Sequence, residues 1–191
     1  MKNSLYLLLC LLPASGGLWA QESQPALSTP AVTGQNQSTG LPAPSAQPAV
    51  FEAKPYDPSA NAENDIAAAV KKAGAEHKHV LLQAGGNWCS WCIEFHRFIH
   101  ADKQLDSILN KCFVVYDLNY SRENQNKMVF AKYGFPQRFG FPVFIILDGK
   151  GNRIQTQNSE YLEQGRSYNK QKVLEFLLQW TPQALEPSLY K

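Results

Sequence analysis

Val80-Leu81-Leu82-Gln83-Ala84-Gly85-Gly86-Asn87-Trp88-Cys89-Ser90-Trp91-Cys92 is the stretch on which the reading of this chain turns. Val80 to Ala84 is a short, largely apolar run bounded by polar residues and by Gly85-Gly86, the pattern of a buried strand. After Cys92, Phe95, Phe98 and Ile99 recur on one helical stripe, so the cysteines stand where a strand hands over to a helix. A cysteine in the first turn of a helix faces unsatisfied backbone N–H groups and the positive end of the helix dipole. Such a sulfur commonly titrates at about 3.5 to 7.5 instead of about 8.5, which favours thiolate at Cys89. Cys92 lies on the same face one turn deeper, where it can attack a mixed disulfide formed by Cys89. The spacing therefore supplies a nucleophile and a resolving thiol for thiol–disulfide exchange.

The flanking sequence alternates helical and strand patterns. Asp57-Pro58-Ser59 reads as a helix start, and Ile66, Ala69, Val70 and Ala73 recur at helical spacing, giving a helix over about 61–75. Asp102 is placed to cap a further helix bearing Leu105, Ile108 and Leu109, and Phe113 to Leu118 returns to strand character. A helix over about 122–133 follows, ended by Gly134. Val143 to Leu147 is a continuous apolar strand, residues 148–152 form a turn, and Arg153 to Gln157 is its hairpin partner. Asn169 caps a last helix with Val173, Phe176, Leu177 and Trp180 on one face. This order predicts an α/β fold: a central mixed sheet with helices on both faces, parallel pairs made by crossovers, and one antiparallel hairpin.

The remainder of the chain bears on where the cysteines work. Residues 1–20 run from Lys2 through the apolar Leu5 to Leu12 to small residues ending at Ala20, the order of a secretory signal peptide, and the apolar run falls short of the roughly 20 residues that span a bilayer. An uncleaved anchor is the alternative, and Cys10 is read as part of the apolar run. Residues 21–55, rich in Ala, Pro, Ser, Gln and Thr, are expected to be a flexible linker, because such composition buries too little surface to offset ordering entropy. Residues 56–183 are assigned to the folded domain and 184–191 to a tail. Export, most plainly to a periplasm with the domain soluble after cleavage, lets thiols oxidise. Without residues 1–20 the chain carries 17 basic and 16 acidic side chains, a balance that gives no reason to expect nucleic acid as a partner. Three cysteines then remain, Cys89, Cys92 and Cys112, and Cys112 is read as a small core residue at the start of a strand. Tyr161, Tyr168 and Trp180 are assigned to packing.

Trp-Cys-x-x-Cys after a buried strand, then Gly140-Phe141-Pro142 immediately before an apolar strand, resembles the thioredoxin superfamily over about residues 57–181. The run from Cys92 to Leu105, followed by Phe113-Val114, is more narrowly similar to exported thioredoxin-like domains and to the C-terminal domain of the transmembrane disulfide reductase. The resemblance implies a thioredoxin-like fold, a cis Pro142 lying against the cysteine pair, and Phe141 presenting backbone to an extended substrate segment. It implies Cys89 and Cys92 as catalytic residues, protein disulfides as substrates, and a membrane or soluble thiol–disulfide electron donor. No bound cofactor or metal is required. Three features depart from thioredoxin, and the first is the central pair Ser90-Trp91, which matches none of the best-known dipeptides, so redox direction does not carry across from it. Phe135 to Phe141 lengthens the link before Pro142, enlarging a loop that bears Phe135, Arg138 and Phe139 near the substrate face. Gln83 stands where thioredoxin has a buried aspartate that assists proton transfer, and since glutamine is no base, Asp117 on the neighbouring strand is the candidate substitute. An ordinary strand-end carboxylate is the other reading of Asp117.

The pattern leaves rival functions open. Cys89, Cys92, His96 and His100 share one helical stripe as soft metal ligands, although His100 would stand more than about 10 Å from Cys92 at a rise of about 1.5 Å per residue. A structural disulfide is a second rival, weakened because so short a loop constrains little of the unfolded chain. Trp88 and Trp91 are either a wall around the sulfurs or a docking surface. The sequence thus points to an extracytoplasmic thiol–disulfide oxidoreductase, reductive by resemblance. Disulfide oxidase or isomerase activity, a non-catalytic binding module and a metal-handling protein are the alternatives, and oligomeric state is left open.

Overall fold

The computed structural model describes residues 54–191. Its order is α1 (Ala62–Glu76), β1 (His79–Gly85), α2 (Ser90–Ala101), α3 (Lys103–Cys112), β2 (Phe113–Asn119), α4 (Lys127–Lys132), β3 (Val143–Leu147), β4 (Arg153–Asn158), β5 (Glu163–Gln164), β6 (Ser167–Tyr168) and α5 (Lys170–Gln179). The signal-peptide and linker expectations, apart from the last residues of the linker, lie outside the described residues.

Four strands form the central sheet in the order β2-β1-β3-β4. β1 runs parallel to β2, with Gln83 opposite Asp117. It runs antiparallel to β3, with Gln83 opposite Phe144, and β3 and β4 form the expected antiparallel hairpin. The sheet therefore holds one parallel pair and two antiparallel ones. The expectation of several parallel pairs missed this because the connection from α4 to β3 crosses to the far side of β1 and returns through a short 3₁₀ turn at Pro136–Phe139.

Strand alternation explains why the sheet is covered twice. Val80, Leu82 and Ala84 face a core with Ile66, Ala69 and Ala73 of α1 and Val129 and Phe130 of α4. Leu81 faces the opposite core with Phe95 and Ile99 of α2, Leu105 and Leu109 of α3, and Val173, Phe176 and Leu177 of α5. Both β1 and β3 are buried along their whole length, as a two-sided strand must be. Gln83 falls in the α2 register and is the polar exception, pointing at the cysteines.

Caps set the helix boundaries. Asp102 accepts from the Gln104 and Leu105 amides and starts α3 as expected, and Asn169 accepts from the Lys172 amide at the start of α5. The first helix spans nearly the expected residues, but its start signal and the start of α4 differ from the sequence reading. Asp57 takes the Ser59 amide and hydroxyl into a turn, and Asn61 is the residue that caps α1. The helix expected from residue 122 begins only at Lys127. The intervening residues hydrogen-bond locally instead: Asn119 donates to the Asn124 carbonyl, Asn124 accepts from the Asn126 amide, and Asn126 adopts a left-handed conformation at φ 46°. Tyr161 is another correction. It stands exposed on a 3₁₀ turn over Ser159–Leu162 while its neighbour Leu162 fills the core.

Candidate active site

The two cysteines sit at the N-terminus of α2 and are joined, with Sγ atoms 2.14 Å apart and Cα atoms 5.2 Å apart. Cys89 is the N-cap residue, one position earlier than the first helical turn, and its sulfur accepts the Cys92 backbone N–H at 3.1 Å. The positive end of the helix thus acts directly on Cys89. Cys89 is 6% exposed and Cys92 0%, so Cys89 is the sulfur an incoming group can reach. Buried beside the pair is Tyr56, with Trp91, Ile93 and Phe141 packed around them.

Gly85 and Gly86 make this arrangement possible. A Cβ on Gly85 would stand 2.5 Å from the Cys92 sulfur and 2.9 Å from the Tyr56 hydroxyl oxygen, and one on Gly86 would collide with the Trp88 indole. Only a strand end without side chains lets the helix start come so close.

Of the residues expected to meet substrate, Phe141 and Trp91 pack on the cysteine cluster. The Phe141–Pro142 peptide is cis. Trp88 is 60% exposed, yet it is held by a hydrogen bond from Nε1 to the Tyr120 carbonyl at 2.6 Å and by an edge contact with Phe141 at 5.6 Å. Trp91 faces the other way: its ring meets Tyr168 edge-on at 5.5 Å, and its carbonyl accepts from the Tyr168 hydroxyl at 3.0 Å. Trp88 is therefore surface, whereas Trp91 is wall. Phe135 and Phe139 are exposed, with the Arg138 guanidinium over the Phe139 ring at 4.2 Å.

Beneath the pair, Gln83 is buried and donates from Nε2 to the Tyr56 hydroxyl at 2.7 Å and to the Cys92 carbonyl at 3.3 Å. Asp117 lies opposite it on β2 and faces the same side of the sheet. Its Oδ1 is buried without a hydrogen-bond partner. Burial pushes the Asp117 carboxyl up to about 6, the nearby His100 offsetting part of the effect. The histidines do not gather with the cysteines. His96 lies edge-on to His100 at 4.7 Å, and His100 Nδ1 pairs with Asp106 at 2.7 Å. Burial and the neighbouring His100 together hold His96 below the usual histidine range.

Two contributors escaped the sequence reading. Tyr56 comes from the segment before α1, where no periodicity marks it. Its backbone N–H donates to the Asn87 side chain at 3.2 Å, and its carbonyl accepts from Asn87 Nδ2 at 2.7 Å. The β5-β6 hairpin is the other. It delivers Tyr168 against Trp91 and Phe95, and the Ser167 hydroxyl donates to Glu94 at 2.5 Å. Two-residue strands leave too short a pattern to detect, although Gly165 at its turn was a signal.

The family profile described as a thioredoxin-like domain matches residues 66–164, just over half of the chain. The chain belongs to the thioredoxin-like family. Its fold is similar to that of a disulphide isomerase from Xylella fastidiosa Temecula1, with 24% identity, a TM-score of 0.59, and 65% of this chain and 95% of that chain covered. Weaker likenesses are to the oxidised DsbD C-terminal domain of Neisseria meningitidis, with 18% identity, a TM-score of 0.46, and 63% and 96% covered, and to a thioredoxin from Thermus thermophilus, with 19% identity, a TM-score of 0.44, and 59% and 81% covered. No curated protein sequence matches the chain. The site of this thioredoxin-like chain thus holds a cysteine pair at bonding distance with a helix terminus behind it. Among the described residues no helix is long and apolar enough to cross a membrane.

Proposed function

We propose that this chain is an extracytoplasmic thiol–disulfide oxidoreductase that reduces protein disulfides by dithiol–disulfide exchange. The observation that carries the reading is the disulfide at the start of α2, in which Cys89 is nearer solvent and accepts a backbone N–H while Cys92 is sealed beneath it. The Cys89 thiolate attacks one sulfur of a substrate disulfide, and the other substrate sulfur leaves with the bonding electron pair and takes a proton. Cys92 then attacks Cys89, the bond from Cys89 to substrate breaks, and the second substrate sulfur departs. Two electrons have passed to the substrate. A thiol donor in the membrane or in solution restores the dithiol.

Asp117 accepts the Cys92 proton before resolution. With its carboxyl at about 6 it is largely ionised near neutral pH, and its unpartnered Oδ1 is free to take the proton. Gln83 orients the groups between them. Trp88, Phe141 and Pro142 form the platform on which an extended substrate segment pairs with the Phe141 backbone by strand addition, and Trp91 supports it from behind. In this reading residues 1–20 direct export, 21–55 tether the domain, 56–183 carry the activity and 184–191 are a tail.

The reductive direction is supported by the similarity of the run after Cys92 to reductive thioredoxin-like domains, and the reduction potential of the Cys89–Cys92 couple tests it. Equilibration with glutathione or dithiothreitol buffers is expected to give a value near that of thioredoxin, about −270 mV, whereas a value near −120 mV would make the protein an oxidant.

A further inference from the structure

The Tyr56 hydroxyl has no role in the exchange as described, yet it is one of the most deeply placed polar groups in the site. The Tyr56 residue is 2% exposed, shares the buried cluster of Cys89 and Cys92, and lies outside the matched family segment 66–164. Three contacts fix its position. Asn87, two residues before Cys89, clasps its backbone at both N–H and carbonyl. Gln83 Nε2 donates to the hydroxyl oxygen at 2.7 Å and, from the same nitrogen, to the Cys92 carbonyl at 3.3 Å. The niche left by the missing Gly85 side chain opens onto both the Cys92 sulfur and the hydroxyl oxygen, at 2.5 and 2.9 Å from where a Cβ would be.

The hydroxyl oxygen already accepts from Gln83, so its proton points elsewhere. Reduction of the disulfide would place a thiolate, a charged acceptor, at the same niche. We propose that Tyr56 is a positioning residue for the resolving step, its hydroxyl donating a hydrogen bond to the Cys92 sulfur and stabilising the thiolate that attacks Cys89. This rests on the dithiol exchange proposed above and adds a residue to it. Burial and the charge of Asp117 hold the Tyr56 phenol far above its ordinary range, so it keeps its proton throughout and serves as donor, never as acid. Balance is preserved: the Cys92 proton goes to Asp117, the electron pair on Cys92 forms the new bond to Cys89, and the substrate sulfur leaves with its own pair. The titratable groups that bear on the hydroxyl are Asp117 on β2 and Tyr168 on β6, and Cys89 is the other titratable partner of Cys92 once reduced.

A hydrogen bond to a charged acceptor moves a pKa by about one to two units. The test is Tyr56→Phe, which keeps the buried ring and leaves Gln83 its bond to Cys92. In a Cys89→Ser background, the pKa of Cys92 read from iodoacetamide alkylation against pH is expected to rise by about one to two units when Tyr56→Phe is added. In the chain with both cysteines, resolution of a preformed mixed disulfide near neutral pH is expected to slow by about three- to fifteenfold, the smaller thiolate fraction being partly offset by a more nucleophilic thiolate. Replacing Tyr56 with a fluorinated tyrosine, whose more acidic hydroxyl donates more strongly, moves the Cys92 pKa down. An unchanged Cys92 pKa in both variants overturns the role of Tyr56. Failure of the unsubstituted protein to exchange with any disulfide overturns the exchange reading instead, and the alkylation measurement judges Tyr56 independently of it.

Discussion

Where thioredoxin buries a carboxylate on the strand before its cysteines, this chain has Gln83, and a carboxylate appears one strand over at Asp117. The exchange has a measurable consequence. Burial holds Asp117 at about 6, above its ordinary 3.8. The native state therefore binds this proton more tightly than the unfolded chain between those values, and stability falls as pH rises through that window. Above about pH 6 the cost is complete, roughly 2 to 3 kcal/mol by linkage. Asp117→Asn removes it. The variant is expected to be more stable than the parent by about that amount near pH 7, to match it near pH 4, and to resolve mixed disulfides more slowly. Urea unfolding at the two pH values checks the first part, and a difference of the same size at both would refute it.

At the scale of elements, α2 is what presents the cysteines, and its seat is aromatic. Phe95, fully buried, meets Phe144 of β3 at 4.3 Å and Tyr168 of β6 at 5.0 Å between ring centres. Truncation there removes both contacts in a core that cannot collapse around a rigid strand. Phe95→Ala is expected to cost about 3 to 5 kcal/mol and to lower activity together with stability, as measured by denaturant midpoint and disulfide-reduction rate on the same preparation. An unfolding midpoint unchanged from the parent would show that α2 is held by something else. Most of this seat was readable from sequence, since Val80 to Ala84, the stripe of Phe95 and Ile99, and Val143 to Leu147 carry strong periodicity. The short α4 was not, because Asn119, Asn124 and Asn126 use their side chains to satisfy backbone groups that a helix would otherwise claim. Nor was the direction of β3, which depends on where a loop crosses the sheet and leaves no mark in hydrophobic pattern.

Across the whole molecule, the fold brings Tyr56 from before α1, Gln83 of β1 and Phe141 from the turn into β3 to one sulfur pair, with Asp117 of β2 opposite Gln83. The cysteine spacing and Gly140-Phe141-Pro142 were legible as motifs, and the structure joins them as the resemblance implied. Tyr56 was invisible because its role depends on a clasp by Asn87 and on the absence of a side chain at Gly85, neither of which has a sequence pattern of its own. In the proposed exchange these parts serve an ordered pair, a Cys89 nearer solvent that attacks and a sealed Cys92 that resolves. The direct measurement is mixed-disulfide trapping on the full chain. Cys92→Ala is expected to accumulate mixed disulfides with protein substrates through Cys89, seen as thiol-sensitive adducts on non-reducing gels, while Cys89→Ala accumulates few. Equal trapping by Cys89→Ala would contradict the assigned order of the two sulfurs.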